Sequence, residues 1–398
     1  MPYNLDLERI PEADYSAFHR SGWHYALKGL RGLADQRSGS KDGRLPTIIF
    51  DSYVDRTFHW KMDEFLDTGV LPYPTDAKWA GVLHHTFNTS FGSHNCTELF
   101  ENNAVFRASL RQCVVLFTLS ETLAIQVRSA MARHIPPDYH PRPLVVSVPH
   151  PTEPVRSRNM FTMRKFENNH RRRLVQIGSW LRNPFAIYDL PLDLPGTRKA
   201  ALRGTDNDMN FPPPDFEEGL IRGMEEATTH EFWREKEEEG GVVRVTISNA
   251  LDRVPADPHC TPHVFTRHLL ADMSAKRDSV EEIARLRNSD YDALLSQNAV
   301  FLELVDASAV NTVMECIVRN TPIFVNRLPA LEEVLGTDYP GFYGLLANDD
   351  DPPAMTIVSD INSYKNAHLH LLRLAHKSRF DLDNFVRLID DAISEHAA

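Results

Sequence analysis

The chain has 398 residues, 42% of them hydrophobic and 25% charged, the balance of a folded protein with room for two or three domains. Its net charge of −12 argues against wholesale electrostatic binding to nucleic acid or to an anionic membrane. There is no apolar run of about 18 residues and no apolar signal core in MPYNLDLERIPEAD, so the expectation is a cytoplasmic protein without an integral membrane segment.

In chain order, residues 15–34 carry Trp23, Leu27, Leu30 and Leu33 near helical spacing, and SGSKDG breaks the chain after them. Short buried-type strands are expected at 47–50, 79–84, 113–118 and 144–148. Ser120-Glu121 starts a helix running through Met131, with Ser120 as its cap. Residues 151–172 are rich in proline and arginine and read as a linker. The rhythm restarts with a strand at 174–178, is interrupted by an acidic excursion over 205–241, and resumes with strands at 242–247 and 300–305. Helices near 361–377 and 381–396 close the chain. Strands separated by helical patterns predict parallel sheets with helices on both faces, hence an α/β protein. The division expected is 1–150, 173–375 and a terminal helix over 376–398.

The cysteines, Cys96, Cys113, Cys260 and Cys316, form no paired motif and read as free thiols of a reducing compartment. His84-His85, with His94 and Cys96 further on, could suggest zinc. The spacing HH-x8-H-x-C matches no common zinc pattern, and no metal is expected.

The most informative stretch is ECIVRNTPIFVNRLPALEEVL, residues 315–335. A helix expected over 308–320 buries Val310, Val313, Met314 and Ile317 on one face. Ser308, Asn311, Thr312 and Glu315 form a polar stripe beside it, with Ser308 read as the N-cap. A helix start carries about half a positive charge and free N–H groups, which suits a diphosphate. Glu315 lies about 10 Å further along the axis, within reach of ribose hydroxyls. The competing use of that carboxylate is an ion pair with Arg319, four residues on.

This segment, with the turn at Thr321-Pro322, the strand at 323–325 and the loop bearing Glu332-Glu333, resembles the donor site of GT-B glycosyltransferases. The closest resemblance is to the retaining branch with a Glu-x7-Glu motif. The resemblance implies two Rossmann-like domains facing a cleft, and transfer of a sugar from a nucleotide-diphosphate donor to an acceptor hydroxyl without metal. A UDP- or GDP-sugar is the implied donor, and no other cofactor is implied. Glu315 matches the ribose-binding glutamate. The first motif glutamate would fall at Ala307, and neither Asp306 nor Glu303 is in register. Gly178, Ser308, Asn311, Thr312, Glu315 and Glu332 are implied to hold the nucleotide sugar. Arg182, with Lys199 or Arg203, is implied to neutralise the leaving diphosphate. His85, or its neighbour His84, would meet the sugar from the end of an N-terminal strand. Ser21-Gly22-Trp23 stands where the family has an early glycine loop, and His19 and Asp51 are candidate acceptor bases. A non-catalytic nucleotide-sugar-binding protein and a nucleotide-sugar epimerase are the alternatives. The acceptor is not readable.

Overall fold

The computed structural model describes residues 3–7, 20–38, 45–59, 61–62, 77–89, 94–136, 142–178, 181–183, 186–202, 279–283, 286–346, 349–375 and 377–396. The expected excursion at 205–241, the strand at 242–247, His19, Arg203 and Cys260 lie outside them.

Five short strands form the first sheet: Asn4–Asp6 (β1), Thr47–Asp51 (β2), Trp79–Leu83 (β3), Cys113–Thr118 (β4) and Leu144–Ser147 (β5), all but the first of them largely apolar. They pair in parallel in the order β1-β2-β3-β4-β5. Successive side chains point to opposite faces, and both faces are covered. Ile48 and Phe50 enter one core, beneath helix Trp23–Ser38 (α1). Ile49 enters the other, beneath Val54–Phe58 (α2), Cys96–Glu101 (α3), Ala104–Ser109 (α4) and Glu121–His134 (α5).

After the linker and a short helix, Met163–Asn168 (α6), a second sheet begins at Arg172–Ile177 (β6). It continues through Ala186–Asp189 (α7), Thr197–Leu202 (β7), Val280–Ile283 (β8), Asn288–Gln297 (α8), Ala299–Leu302 (β9), Asn311–Arg319 (α9), Ile323–Asn326 (β10), Pro329–Leu335 (α10) and Phe342–Tyr343 (β11). Its strands are parallel in the order β8-β7-β6-β9-β10-β11. Counted from β6, this is the doubly wound order in which chain direction across the sheet reverses between β6 and β9. Ligands of open α/β sheets bind outside the strand ends at such a point.

Helices Ala354–Val358 (α11) and Ile361–Arg373 (α12) follow, and the chain then returns to the first sheet. The last helix, Leu382–His396 (α13), buries Phe385, Ile389 and Ile393 in the core that holds Tyr3, Trp23 and Leu27. Its Asp390 accepts from the Tyr3 hydroxyl at 2.8 Å and pairs with Arg37 at 2.5 Å. Among the described residues, no helix is long and apolar enough to cross a membrane.

Candidate functional site

At the reversal point the chain leaves β6 through Gly178 with φ +75° and Leu181 with φ +53°, left-handed values that glycine adopts freely and leucine at a cost. Asn183 N–H donates to the Glu303 carbonyl at 2.8 Å and the Asn183 side chain to the Glu303 carboxylate at 2.7 Å. The Asn326 side chain brackets Leu304, accepting from its N–H at 2.7 Å and donating to its carbonyl at 3.0 Å. The loops after β6 and β9 are thus fastened together. Between them lies Arg182, 8% exposed, with Nη2 3.5 Å from the Thr312 hydroxyl. A Cβ on Gly178 would stand 2.8 Å from Arg182 Nη1, so glycine lets the guanidinium lie against the backbone. Burial lowers the Arg182 pKa to about 10, with Tyr291 and Glu315 acting in the other direction, and the group stays cationic at neutral pH.

Helix α9 starts at Asn311, three residues later than the polar stripe suggests. Val310 is its N-cap residue and offers no side-chain hydrogen bond. Ser308, expected as the cap, instead donates its hydroxyl to the His84 carbonyl of the other domain. The helix ends where expected, on Asn320 in the left-handed conformation at φ +61°. Glu315 is 1% exposed and accepts from the backbone N–H of Ser21 at 3.0 Å and from the Tyr291 hydroxyl. The ion pair with Arg319 does not form. That guanidinium pairs with Asp292 at 2.7 Å and donates to Glu315's own carbonyl at 3.2 Å. Ser21 belongs to the Ser21-Gly22-Trp23 segment expected at the early glycine loop, whereas Tyr291 carries no obvious chemical signature in the sequence and joins the site through tertiary contact alone.

The N-terminal end of α9 faces the first domain across a crevice lined by Ser120, His150, Ser308, Val310 and Glu333, with a volume of about 50 Å³. Three sets of hydrogen bonds close it: Ser308 to His84, Ser21 to Glu315, and Glu333 to the start of α5. Glu333 accepts from Glu121 N–H at 2.8 Å and from the N–H and hydroxyl of Thr122. A carboxylate thus neutralises the positive end of α5.

The two adjacent histidines separate, as alternation requires. The His84 ring stacks on Tyr53 at 4.1 Å and sits 4.9 Å from Trp23. The His85 ring lies within hydrogen-bonding distance of the Tyr53 hydroxyl, 3.2 Å, and the His94 carbonyl, 2.5 Å. His150, which no sequence motif singles out, also lines the crevice. Burial lowers its pKa to about 4, and burial likewise lowers His84 to about 3. Among the described residues, no three His, Cys, Asp or Glu side chains come together to hold a metal.

Gly178, Arg182, Thr312 and Glu315 therefore gather at the reversal point, with Asn311 opening the helix. Lys199 and Glu332 are engaged elsewhere. Lys199 donates to the Tyr188 and Leu190 carbonyls at 2.8 and 3.2 Å, closing the end of α7. Glu332 pairs with Arg327 at 2.6 Å, which also holds Asp351. Asp51 accepts from Tyr53 N–H at 2.8 Å in the turn after β2. Glu303, out of register in the sequence, is a second, half-buried carboxyl at the reversal point. Burial holds it above the ordinary glutamate value against the Asn183 hydrogen bond.

No family model matches the sequence, and no curated protein matches it. Solved structures do. An E. coli trehalose-6-phosphate structure bound with UDP-2-fluoro glucose is 11% identical, with a TM-score of 0.51 over 93% of this chain and 78% of its own. Anabaena HepE in complex with UDP and glucose is 10% identical, with a TM-score of 0.49 over 87% and 78% of the two chains. A UDP-forming α,α-trehalose-phosphate synthase from Burkholderia xenovorans is 11% identical, with a TM-score of 0.48 over 94% and 79%. With its two parallel sheets and the first of these likenesses, the chain has a GT-B-like fold: two Rossmann-like α/β domains across a crevice.

Proposed function

We propose that the protein is a glycosyltransferase that takes a nucleotide-diphosphate sugar, a UDP- or GDP-sugar, at the reversal point of the second sheet and transfers the sugar to an acceptor hydroxyl. The observation that carries the reading is Arg182: a desolvated guanidinium laid against Gly178, beside the first turn of α9. A buried cation next to a helix start is arranged for a diphosphate, whose charge is greatest as the sugar departs. A fold shared with a structure that holds UDP-2-fluoro glucose agrees with this reading.

The crevice of about 50 Å³ is far smaller than the roughly 300–1,000 Å³ of small-molecule sites. Donor entry therefore requires the domains to part, releasing Ser308 from His84 and Glu315 from Ser21. The released Glu315 carboxylate is then available to the ribose. Arg182→Ala is expected to weaken binding of a UDP- or GDP-sugar by roughly tenfold or more, from loss of a charge-assisted contact of about 1.5–3 kcal/mol. Calorimetric titration of folded variant and wild type checks this. Equal affinity would remove Arg182 from the site.

A second reading is favoured by Ala307, which leaves the first motif position without a carboxylate: a protein that binds nucleotide sugars without turning them over. Slow hydrolysis of the donor by wild type, lost in Arg182→Ala, supports the enzyme. Donor binding with no product over any acceptor supports the second reading.

A further inference from the structure

A larger cavity, about 480 Å³, opens at the other end of α9. Helix α9 presents its first turn to the crevice and its last turn, through Arg319, to this cavity. The walls come from both domains and the linker: Arg20 from the first, Glu153, Arg156 and Arg158 from the linker, Asp292 and Arg319 from the second. Four guanidinium groups face two carboxylates, so the lining carries surplus positive charge. Asp292 is saturated, accepting from Arg20 at 2.7 Å, Arg319 at 2.7 Å and the Asn159 side chain at 2.9 Å. Glu153 is spent on Arg20 at 2.6 Å. Arg319 is 1% exposed, and its Nε has no hydrogen-bond partner among the described residues. A buried N–H left unmet is costly, and a cavity lined by surplus guanidinium groups is a setting in which an anion is held. The volume lies within the range of metabolite sites and exceeds what a bare ion needs.

We propose that this cavity binds a small phosphate-bearing anion, with the buried Arg319 and the half-buried Arg20 as anchors and the exposed Arg156 and Arg158 completing the charge. The alternative is an interdomain ion-pair network with solvent between its members. The two differ in sign at Glu153. Its carboxylate competes with an incoming anion for Arg20, so in the site Glu153→Gln tightens anion binding, whereas in a network it only weakens the domain contact.

The proposal does not rest on the donor-site reading, and its probes contain no nucleotide. Inorganic phosphate and glycerol 3-phosphate are titrated into the full chain by calorimetry, with sodium chloride at matched ionic strength as the control. Saturable binding is expected, tighter by about threefold in Glu153→Gln and weaker by a similar factor in Arg158→Gln. Glycerol 3-phosphate binding more tightly than phosphate identifies a phosphomonoester ligand, and equal affinities identify phosphate itself. Arg319→Gln should abolish binding. Because that variant removes a buried ion-pair partner, its thermal transition is recorded alongside, and the two surface variants decide the matter if it does not fold. Absence of saturable binding, weaker binding in Glu153→Gln, or binding lost in Arg182→Ala but kept in Arg158→Gln would each overturn the proposal.

Discussion

Glu315 shows how differently a residue reads in a sequence and in a fold. Its carboxylate is buried and met by two donors, Ser21 N–H and the Tyr291 hydroxyl, which lie 294 and 24 residues away. Helical spacing draws attention to the carboxylate and to Arg319 four residues on. It is silent on partners supplied by other elements, and those partners won. Asp292 took Arg319 because a separate acidic group in reach satisfies the guanidinium without bending it back along its own helix. Tyr291→Phe leaves a buried carboxylate short of one donor. A stability loss of about 1.5–3 kcal/mol is expected, measured as a shift in the urea midpoint. A midpoint unmoved within error would mean that solvent already reaches the carboxylate. A glycine and an arginine after a strand single out Arg182 in the sequence, and the structure lays its guanidinium beside Gly178 and Thr312. Lys199 lies in β7, a strand the sequence pattern does not reveal, and its ammonium is spent on the carbonyls of Tyr188 and Leu190.

Among the elements, the legible strands were those dense in Val, Ile and Phe, such as Thr47–Asp51 and Cys113–Thr118, whose side chains are buried on both faces. The missed strands were Asn4–Asp6, Thr197–Leu202, Val280–Ile283 and Phe342–Tyr343, short or charged segments at or next to a sheet edge. Sheet edges admit polar residues, so their pattern fades. The start of α9 was placed too early because Ser308 has the chemistry of a cap, and that chemistry was spent across the crevice. Helix α5 has its own cap, Ser120, whose hydroxyl accepts from Leu123 N–H at 3.3 Å, and also borrows Glu333 from the opposite domain. Glu333→Ala should cost about 1 kcal/mol and favour the open crevice, because the helix start loses its anion. Small-angle scattering should report a larger radius of gyration for the variant than for wild type. Identical scattering and stability would show that the contact does not hold the domains closed.

At the scale of the whole molecule, the alternation of strands and helices was enough to give two α/β domains, while the order of strands within each sheet was not, since pairing is decided by packing that no local pattern encodes. Acid should reveal the buried histidines. His150 has a folded pKa lowered to about 4, against about 6.5 unfolded, so the unfolded chain binds a proton that the folded one refuses. Its contribution is complete above the unfolded value and is lost as pH falls towards the folded one, by up to about 1.4 kcal/mol per pH unit. Urea midpoints recorded from neutral pH down to about pH 4.5 should fall, and His150→Gln should flatten that slope. An unchanged slope would mean that His150 is protonated in the native state. The return of α13 to the first sheet has a consequence for biosynthesis. Domains usually fold in the order in which the ribosome makes them, at about 5–20 residues per second. Here the half made first waits for a helix made last, so the surface around Tyr3 and Trp23 stays uncovered for roughly tens of seconds while the second half emerges. A nascent chain stalled before residue 382 should therefore need a chaperone to stay in solution.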